Sequence, residues 1–115
     1  MQVTAHITVS PSSAVLHLSG RILSDEGLAA ILADVDKAIA QGAKNWICQT
    51  KELTYCNSTG LNLFVRVLTK SRNAGGDCVL AEVQPAVVKL LELSKLNEIF
   101  TSYASLDEAV ARFNN

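Results

Sequence analysis

The sequence predicts an α/β protein in which a mixed β-sheet of four or five strands is covered by about four α-helices. The chain opens with residues that alternate between apolar and polar, which is typical of a half-buried strand. After this opening, segments with helical apolar spacing alternate with short apolar runs, a pattern that favours parallel strands joined by crossover helices. With 115 residues, 49% of them hydrophobic and 18% charged, residues 1–115 are expected to form a single domain around one main core.

A β-hairpin is predicted at the N-terminus. Apolar residues occupy the odd positions from 3 to 9, with polar residues between them. The segment "SPSS" at 10–13 supplies a turn, and residues 14–18 form the second strand. We expect Gly20 to end that strand.

The first helix is predicted to begin at an N-cap, Ser24. Asp25 and Glu26 would then lie in its first turn, where the helix dipole favours negative charge. Apolar residues recur at three- and four-residue spacing through 28–39, which gives the helix one buried stripe. Gly42 is the expected C′ residue after its end.

A second unit combines a short strand, a turn and a helix. Residues 46–49 read as a strand, and Lys51 and Glu52 read as a turn after it. Helical spacing resumes at Leu61 and is ended by the pair Gly75–Gly76.

The last third of the chain repeats this alternation. Residues 78–81 form a strand, and Pro85 is well placed as the first residue of a short helix. The segment 96–104 is expected to be a loop with a brief edge strand. Ser105 and Glu108 form a capping box that opens a final helix. The apolar side chains that this helix would bury are Val110 and Phe113.

Composition and charge exclude several classes of function. The 10 basic and 11 acidic residues give a net charge of −1, so no basic surplus favours nucleic acid. No apolar run approaches the roughly 20 residues that cross a bilayer, and the first residues do not resemble a secretory signal. We expect a cytoplasmic protein that does not insert into membranes. The three cysteines form no CxxC pair, so we expect neither a disulfide framework nor a metal site, and no cofactor.

The stretch "YCNSTGLNL", residues 55–63, carries the main candidate for chemistry. Ser58 could be a nucleophile, a phosphate acceptor or a helix cap. A serine nucleophile needs a histidine base and usually a G-x-S-x-G turn. The turn is missing, and His6 and His17 fall on polar positions of the predicted hairpin. No phosphate-binding glycine motif occurs either, so we predict that the protein is not an enzyme.

The cap and the phosphate acceptor remain open, and they are compatible. Asn57 or Ser58 before an apolar helix is ordinary N-cap chemistry, which stabilises a helix by about 1 kcal/mol. The free N–H groups and the positive end of the dipole at the same place also favour an anion. Phosphorylation there would add roughly −1.5 to −2 charges.

Two segments carry a resemblance to a known family. "LSGRI" after the hairpin and the long segment from "YCNSTGLNLFVRVLTKSRNAGG" through "DCVLAEVQPAVVKLLELSKLNEIF" resemble the STAS domain of bacterial anti-sigma factor antagonists. The resemblance extends from about residue 3 to 113. It implies that the predicted α/β fold is a single STAS-type domain.

The resemblance also implies a regulatory switch. In this family the dephosphorylated protein binds an anti-sigma factor, typically a serine kinase, so that a sigma factor is released. The kinase then uses ATP to phosphorylate the antagonist and end the interaction, and a PP2C-type phosphatase resets it. Carried onto this chain, the acceptor is Ser58, with Thr59 the less favoured neighbour. The implied partner-binding residues are Leu23, Asp25, Asn57, Ser58, Thr59, Gly60 and Leu61, with Gly60 allowing close approach.

Three departures from the family pattern leave an alternative open. The family usually has Asp just before the acceptor, where this chain has Asn57. Gln49 stands at a further acidic or Asn position of the family, at the end of the central strand, and Leu23 replaces an Asp, although Asp25 follows two residues later. A STAS subunit that is not phosphorylated, in a signalling scaffold or a lipid-transport complex, is therefore the alternative. A weaker third reading is a sensor whose apolar pocket lies near Trp46 and Phe64.

Overall fold

The computed structural model describes residues 3–114, which form a mixed five-stranded sheet with four α-helices, as the sequence predicts. The strands lie side by side in chain order; β1 and β2 are antiparallel and all later pairs are parallel. The strands are β1 (Thr4–Val9), β2 (Ala14–Ile22), β3 (Trp46–Cys56), β4 (Cys78–Ala81) and β5 (Ser102–Tyr103). The helices are α1 (Leu28–Ala40), α2 (Ser58–Asn73), α3 (Pro85–Leu93) and α4 (Leu106–Phe113).

The sheet has a large core on one face and a smaller one on the other. Alternate residues of β2 and β3, such as Leu16 and Cys48, pack against α1, α2 and α3. The residues between them, such as Val15 and Ile47, pack against α4. This division follows from the period-two alternation of side chains along a strand.

The central strands β2 and β3 are longer than predicted. β2 continues past Gly20 to Ile22, and β3 continues through the predicted turn at Lys51 and Glu52 to Cys56. The two extensions pair with each other, Ile22 opposite Cys56, and the register shifts on either side of Ser19–Gly20. Gly20 has a φ of 94°, which a glycine adopts without strain. The glycine that was expected to end the strand therefore lets it bend and continue.

The predicted start of α1 is wrong. The helix begins at Leu28, and Gly27 with a φ of 83° occupies the N-cap position. The Ser24 hydroxyl instead accepts a 3.3 Å hydrogen bond from the N–H of Glu26, which makes a local turn before the helix. Asp25 and Glu26 consequently precede the helix and do not lie in its first turn.

Other predicted boundaries are confirmed. Pro85 is the first residue of α3, after an extended Gln84, and Gly42 follows the C-cap of α1 with a φ of 109°. At the start of α4, the Ser105 hydroxyl accepts a hydrogen bond from the N–H of Glu108 at 3.2 Å. The buried residue of α4 is Ala109. Val110 and Phe113, which were expected to be buried, are half-buried against the smaller core.

Candidate functional site

Asn57 joins the ends of both central strands to the start of α2. It is the N-cap of α2, and its side-chain oxygen accepts a hydrogen bond from the N–H of Thr59 at 3.0 Å. Its side-chain amide donates to the backbone oxygen of Leu23 at 2.8 Å, and its backbone N–H donates to that of Ile22 at 3.1 Å. The helix N-terminus is therefore fixed to the loop that leaves β2.

This arrangement gives a physical reason for an Asn at position 57. The cap bond needs an acceptor, which Asn and Asp both supply. The bond to Leu23 needs a donor, which an ionised Asp does not have. Asn57 satisfies both contacts at once.

Ser58 is the first residue of α2 and is exposed. In the described part of the chain its hydroxyl has no hydrogen-bond partner, and neither has its backbone N–H. The N–H groups of Gly60 and Leu61 already bond to the backbone oxygen of Asn57, at 3.0 and 3.2 Å. Thr59 is half-buried. Of the two hydroxyl residues, Ser58 is thus the more accessible, and it lies at the positive end of the helix dipole.

Gly60 and Leu61 lie beneath this surface. A Cβ added to Gly60 would come within 2.4 Å of the Cβ of Cys56 and 3.3 Å of that of Ile22. Leu61 is only 5% exposed and belongs to the main core. The close approach that Gly60 permits is therefore between α2 and the extended strands, and the Leu61 side chain faces inward in this structure.

The thiol under the helix N-terminus is not a second nucleophile. Burial raises the pKa of Cys56 to about 11. Since the thiolate is the reactive form, Cys56 stays protonated and unreactive near neutral pH. Ser58, in contrast, is exposed at the start of α2.

Exposed apolar side chains lie at the same end of the sheet as Ser58. Leu23 is 49% exposed and Tyr55 is 44% exposed, and Asp25 is exposed in the loop after Leu23. The structure thus brings Leu23 and Asp25 to the same end of the sheet as the N-terminus of α2. Tyr55 was not among the predicted site residues. Had β3 been predicted to continue to residue 56, Tyr55 would have stood out as an exposed aromatic side chain two residues before the helix cap.

Gln49 lies in the middle of β3. Its side-chain amide donates to a carboxylate oxygen of Glu82 at 2.5 Å, and its side-chain oxygen is buried without a partner among the described residues. Gln49 is followed by seven more residues of β3, up to Cys56. It therefore does not stand at the end of the central strand, where the family pattern led us to expect it.

Trp46 and Phe64 do not form the pocket that the third reading requires. Both are 0% exposed in the main core, and the Trp46 indole N–H donates to the backbone oxygen of Ala43 at 3.0 Å. A cavity of about 450 Å³ opens elsewhere, at the N-terminal ends of β2 and β3, whereas Ser58 follows the C-terminal end of β3. Its lining includes Ser13, Ala38, Lys44 and Phe113.

The two histidines are engaged with each other. The rings of His6 and His17 stack with 4.3 Å between their centroids, and Nε2 of His17 is 3.1 Å from the Thr8 hydroxyl. Neither ring is hydrogen-bonded to Ser58. Within residues 3–114 no cluster of His, Cys, Asp or Glu has the composition of a metal site, and no helix is long and apolar enough to cross a membrane.

The fold and this site define an α/β domain that presents an exposed serine at a helix N-terminus. Residues 4–109 match the model of the STAS domain, and the chain belongs to this family. A curated relative, "Putative anti-sigma factor antagonist BtrV" of Bordetella bronchiseptica, is 32% identical over 85 residues, which are 74% of this chain and 70% of the relative. The chain is thus a member of the anti-sigma factor antagonist group of STAS proteins.

Solved structures agree with the fold. The anti-sigma factor antagonist SpoIIAA in its unphosphorylated form superposes with a TM-score of 0.82 at 22% identity, covering 96% of each chain. The phosphorylated form of SpoIIAA from Bacillus gives a TM-score of 0.73 at 22% identity, covering 95% of this chain and 98% of that one. At 22% identity these similarities support the fold described above.

Proposed function

We propose that this protein is a phosphorylation-controlled antagonist. With Ser58 unmodified it binds a kinase-type anti-sigma factor, which then releases its sigma factor. The observation that carries the proposal is the exposed Ser58 hydroxyl, which has no partner in the described chain and stands at the first position of α2. The curated relative named as an anti-sigma factor antagonist supports it, as does SpoIIAA, whose structure exists in both phosphorylation states.

The surface around Ser58 suits a switch of this kind. Leu23 and Tyr55 offer apolar area, and Asn57, Ser58 and Thr59 offer polar groups to a docked partner. Phosphorylation would add roughly −1.5 to −2 charges at the same end of the sheet as these side chains. The helix N-terminus accommodates that charge, whereas a partner packed on Leu23 and Tyr55 would have to desolvate it. Phosphorylation therefore destabilises the complex far more than it destabilises the free protein.

The protein acts in this proposal by binding, without catalysing a reaction itself. The ATP-dependent step belongs to the partner kinase, and a PP2C-type phosphatase restores the free hydroxyl. Such an exchange takes place in the cytoplasm, where sigma factors operate. Leu23 and Asp25 form the part of the docking surface contributed by the loop after β2.

The proposal is tested by incubating the protein with its cognate kinase and ATP. One phosphate is expected on the wild type and none on Ser58→Ala, while the matched control Thr59→Val still accepts one. Binding to the kinase, measured by calorimetry, is expected for wild type, Ser58→Ala and Thr59→Val, and is lost after phosphorylation of the wild type. Absence of modification by a kinase that demonstrably binds the protein would overturn the switch.

A second candidate function follows from the departures at Asn57, Gln49 and Leu23. If the missing carboxylates are needed for phosphoryl transfer, the domain is a constitutive interaction subunit of a scaffold or a lipid-transport complex. A pull-down that recovers scaffold proteins or a transporter ATPase, and no kinase, would favour this function. Asn57→Asp separates the two cases, because restored carboxylate chemistry should speed phosphorylation only if the switch exists.

A further inference from the structure

The outer edge of β1 is an open strand without the usual protection. Within the described chain β1 pairs only with β2, in an unbroken register from Thr4–Ser19 to Val9–Ala14. Natural proteins protect such edges with lysines, prolines, bulges or very short strands. The six residues of β1, "TAHITV", contain no lysine, no proline and no carboxylate, and Val9 is 64% exposed.

The hairpin geometry identifies which backbone groups face outward. The N–H of Ser10 bonds to the oxygen of Ser13 at 2.9 Å, so Ser10 and Ser13 are a hydrogen-bonded pair. Such pairs alternate along an antiparallel ladder, and Val9 opposite Ala14 is therefore a non-hydrogen-bonded pair. The N–H of Ala14 indeed points away from β1, to the oxygen of Asn45 at 2.8 Å.

The same alternation holds along the rest of the strand. Thr4, His6 and Thr8 direct their N–H and C=O groups to β2. Ala5, Ile7 and Val9 direct theirs to the open edge. These outward groups form a ready ladder for another strand.

We propose that the edge of β1 pairs with β1 of a second copy of this chain in an antiparallel, two-fold symmetric dimer. The pairing places Ile7 opposite its own equivalent, with Ala5 opposite Val9 on either side. Every outward residue of β1 then faces another outward residue, and each of these pairs exchanges two backbone hydrogen bonds. No like charges are opposed among them, because the three residues are apolar.

The other edge of the sheet explains why the assembly closes as a dimer. The strand at that edge is β5, which has two residues, Ser102 and Tyr103. It is too short to pair with the six residues of β1, so a head-to-tail assembly, in which β1 of one copy pairs with β5 of the next, is disfavoured. The two-fold symmetric pair of β1 strands is the arrangement that remains. A single pair of strands is smaller than a standard protein interface. The dimer is therefore weak and depends on concentration.

Substitution at Ala5 tests the proposal without breaking the hairpin. Since the N–H of Ala5 faces outward, Ala5→Pro removes a donor from the edge and none from the β1–β2 ladder. Sedimentation measured from about 1 µM to about 1 mM should show the wild type dimerising and Ala5→Pro remaining monomeric. Ala5→Lys, a gentler change, should also remain monomeric, and Ala29→Lys on the exposed face of α1 should dimerise like the wild type.

Circular dichroism and cooperative unfolding establish that each variant is folded. A wild type that stays monomeric at about 1 mM would overturn the proposal. So would an Ala5→Lys variant that is folded and dimerises as strongly as the wild type.

Cysteine crosslinking tests the register. The proposed pairing puts His6 of one copy opposite Thr8 of the other in a non-hydrogen-bonded pair, where the Cα atoms are about 4.5 Å apart and a disulfide fits. His6→Cys mixed with Thr8→Cys, with copper phenanthroline and oxygen accepting the electrons of the two thiols, should give a crosslinked heterodimer. Neither variant alone should crosslink, since the three native cysteines are buried. Crosslinking of His6→Cys to itself would overturn this register.

Discussion

Asn57 is the residue on which the shape of the candidate site depends. Asn57→Ala removes both the cap bond to Thr59 and the bond to Leu23, so we expect a loss of about 1 kcal/mol or more in the free energy of unfolding. Asn57→Asp loses only the bond to Leu23, keeps the cap acceptor and adds a charge that the helix dipole favours, so its loss should be smaller than that of Asn57→Ala but not zero. Urea unfolding of both variants measures the difference, and equal losses would show that the cap bond is not the stabilising contact.

Gly60 allows α2 to lie against the extended central strands. A methyl group at this position would overlap the Cβ of Cys56 at 2.4 Å, and that atom belongs to the strand and cannot swing aside. Gly60→Ala should therefore destabilise the protein by about 1–3 kcal/mol through overpacking. Thermal unfolding checks this, with Ser58→Ala as the neighbouring control because Ser58 is exposed. Unfolding midpoints that match for the two variants would contradict the tight packing.

At the scale of elements, boundaries that depend on neighbouring residues were predicted better than boundaries that depend on strand pairing. Cys78–Ala81, Pro85 and Gly42 were located correctly because each boundary is set by nearby residues. The extension of β3 was missed because it exists only through pairing with β2. Its buried residues are Thr50, Leu53 and Cys56, and this three-residue spacing does not resemble the period of two that is typical of a strand. Ser58 was found from its motif, whereas Tyr55 depended on the missed extension.

The helix α4 covers its face of the sheet with only eight residues, so its N-cap should matter. Ser105→Ala removes the 3.2 Å hydrogen bond to the N–H of Glu108 and should cost about 1 kcal/mol. The ion pair between Arg112 and Asp77 at 2.7 Å still holds the other end of the helix. We expect faster hydrogen exchange of the α4 amides in Ser105→Ala, and wild-type exchange rates in Ser105→Asp, which keeps an acceptor. Unchanged exchange in Ser105→Ala would rule out a stabilising role for this cap.

For the whole molecule, the sheet separates two surfaces. The candidate switch lies where β3 passes into α2, near the middle of the strand order, while the proposed dimer uses β1 at its edge. Of the named contacts of Ser58 and Asn57, none involves β1. Phosphorylation of Ser58 should therefore leave dimerisation unchanged, and sedimentation of the phosphorylated protein checks this. A dimer that dissociates on phosphorylation would show that the two surfaces are coupled.

The stability of the whole fold should depend on pH through the histidine stack. Burial, and then the positive charge of His6, lower the pKa of His17 from its usual 6.5. The folded state thus binds this proton less tightly than the unfolded state, so the stabilisation is complete above pH 6.5 and is lost as the pH falls below it. Urea unfolding between about pH 7.5 and pH 5 should show a declining free energy of unfolding for the wild type and a flatter profile for His17→Gln. His6→Gln should flatten it less, because burial of His17 is the larger cause. A His17→Gln profile as steep as that of the wild type would place the pH dependence in other groups.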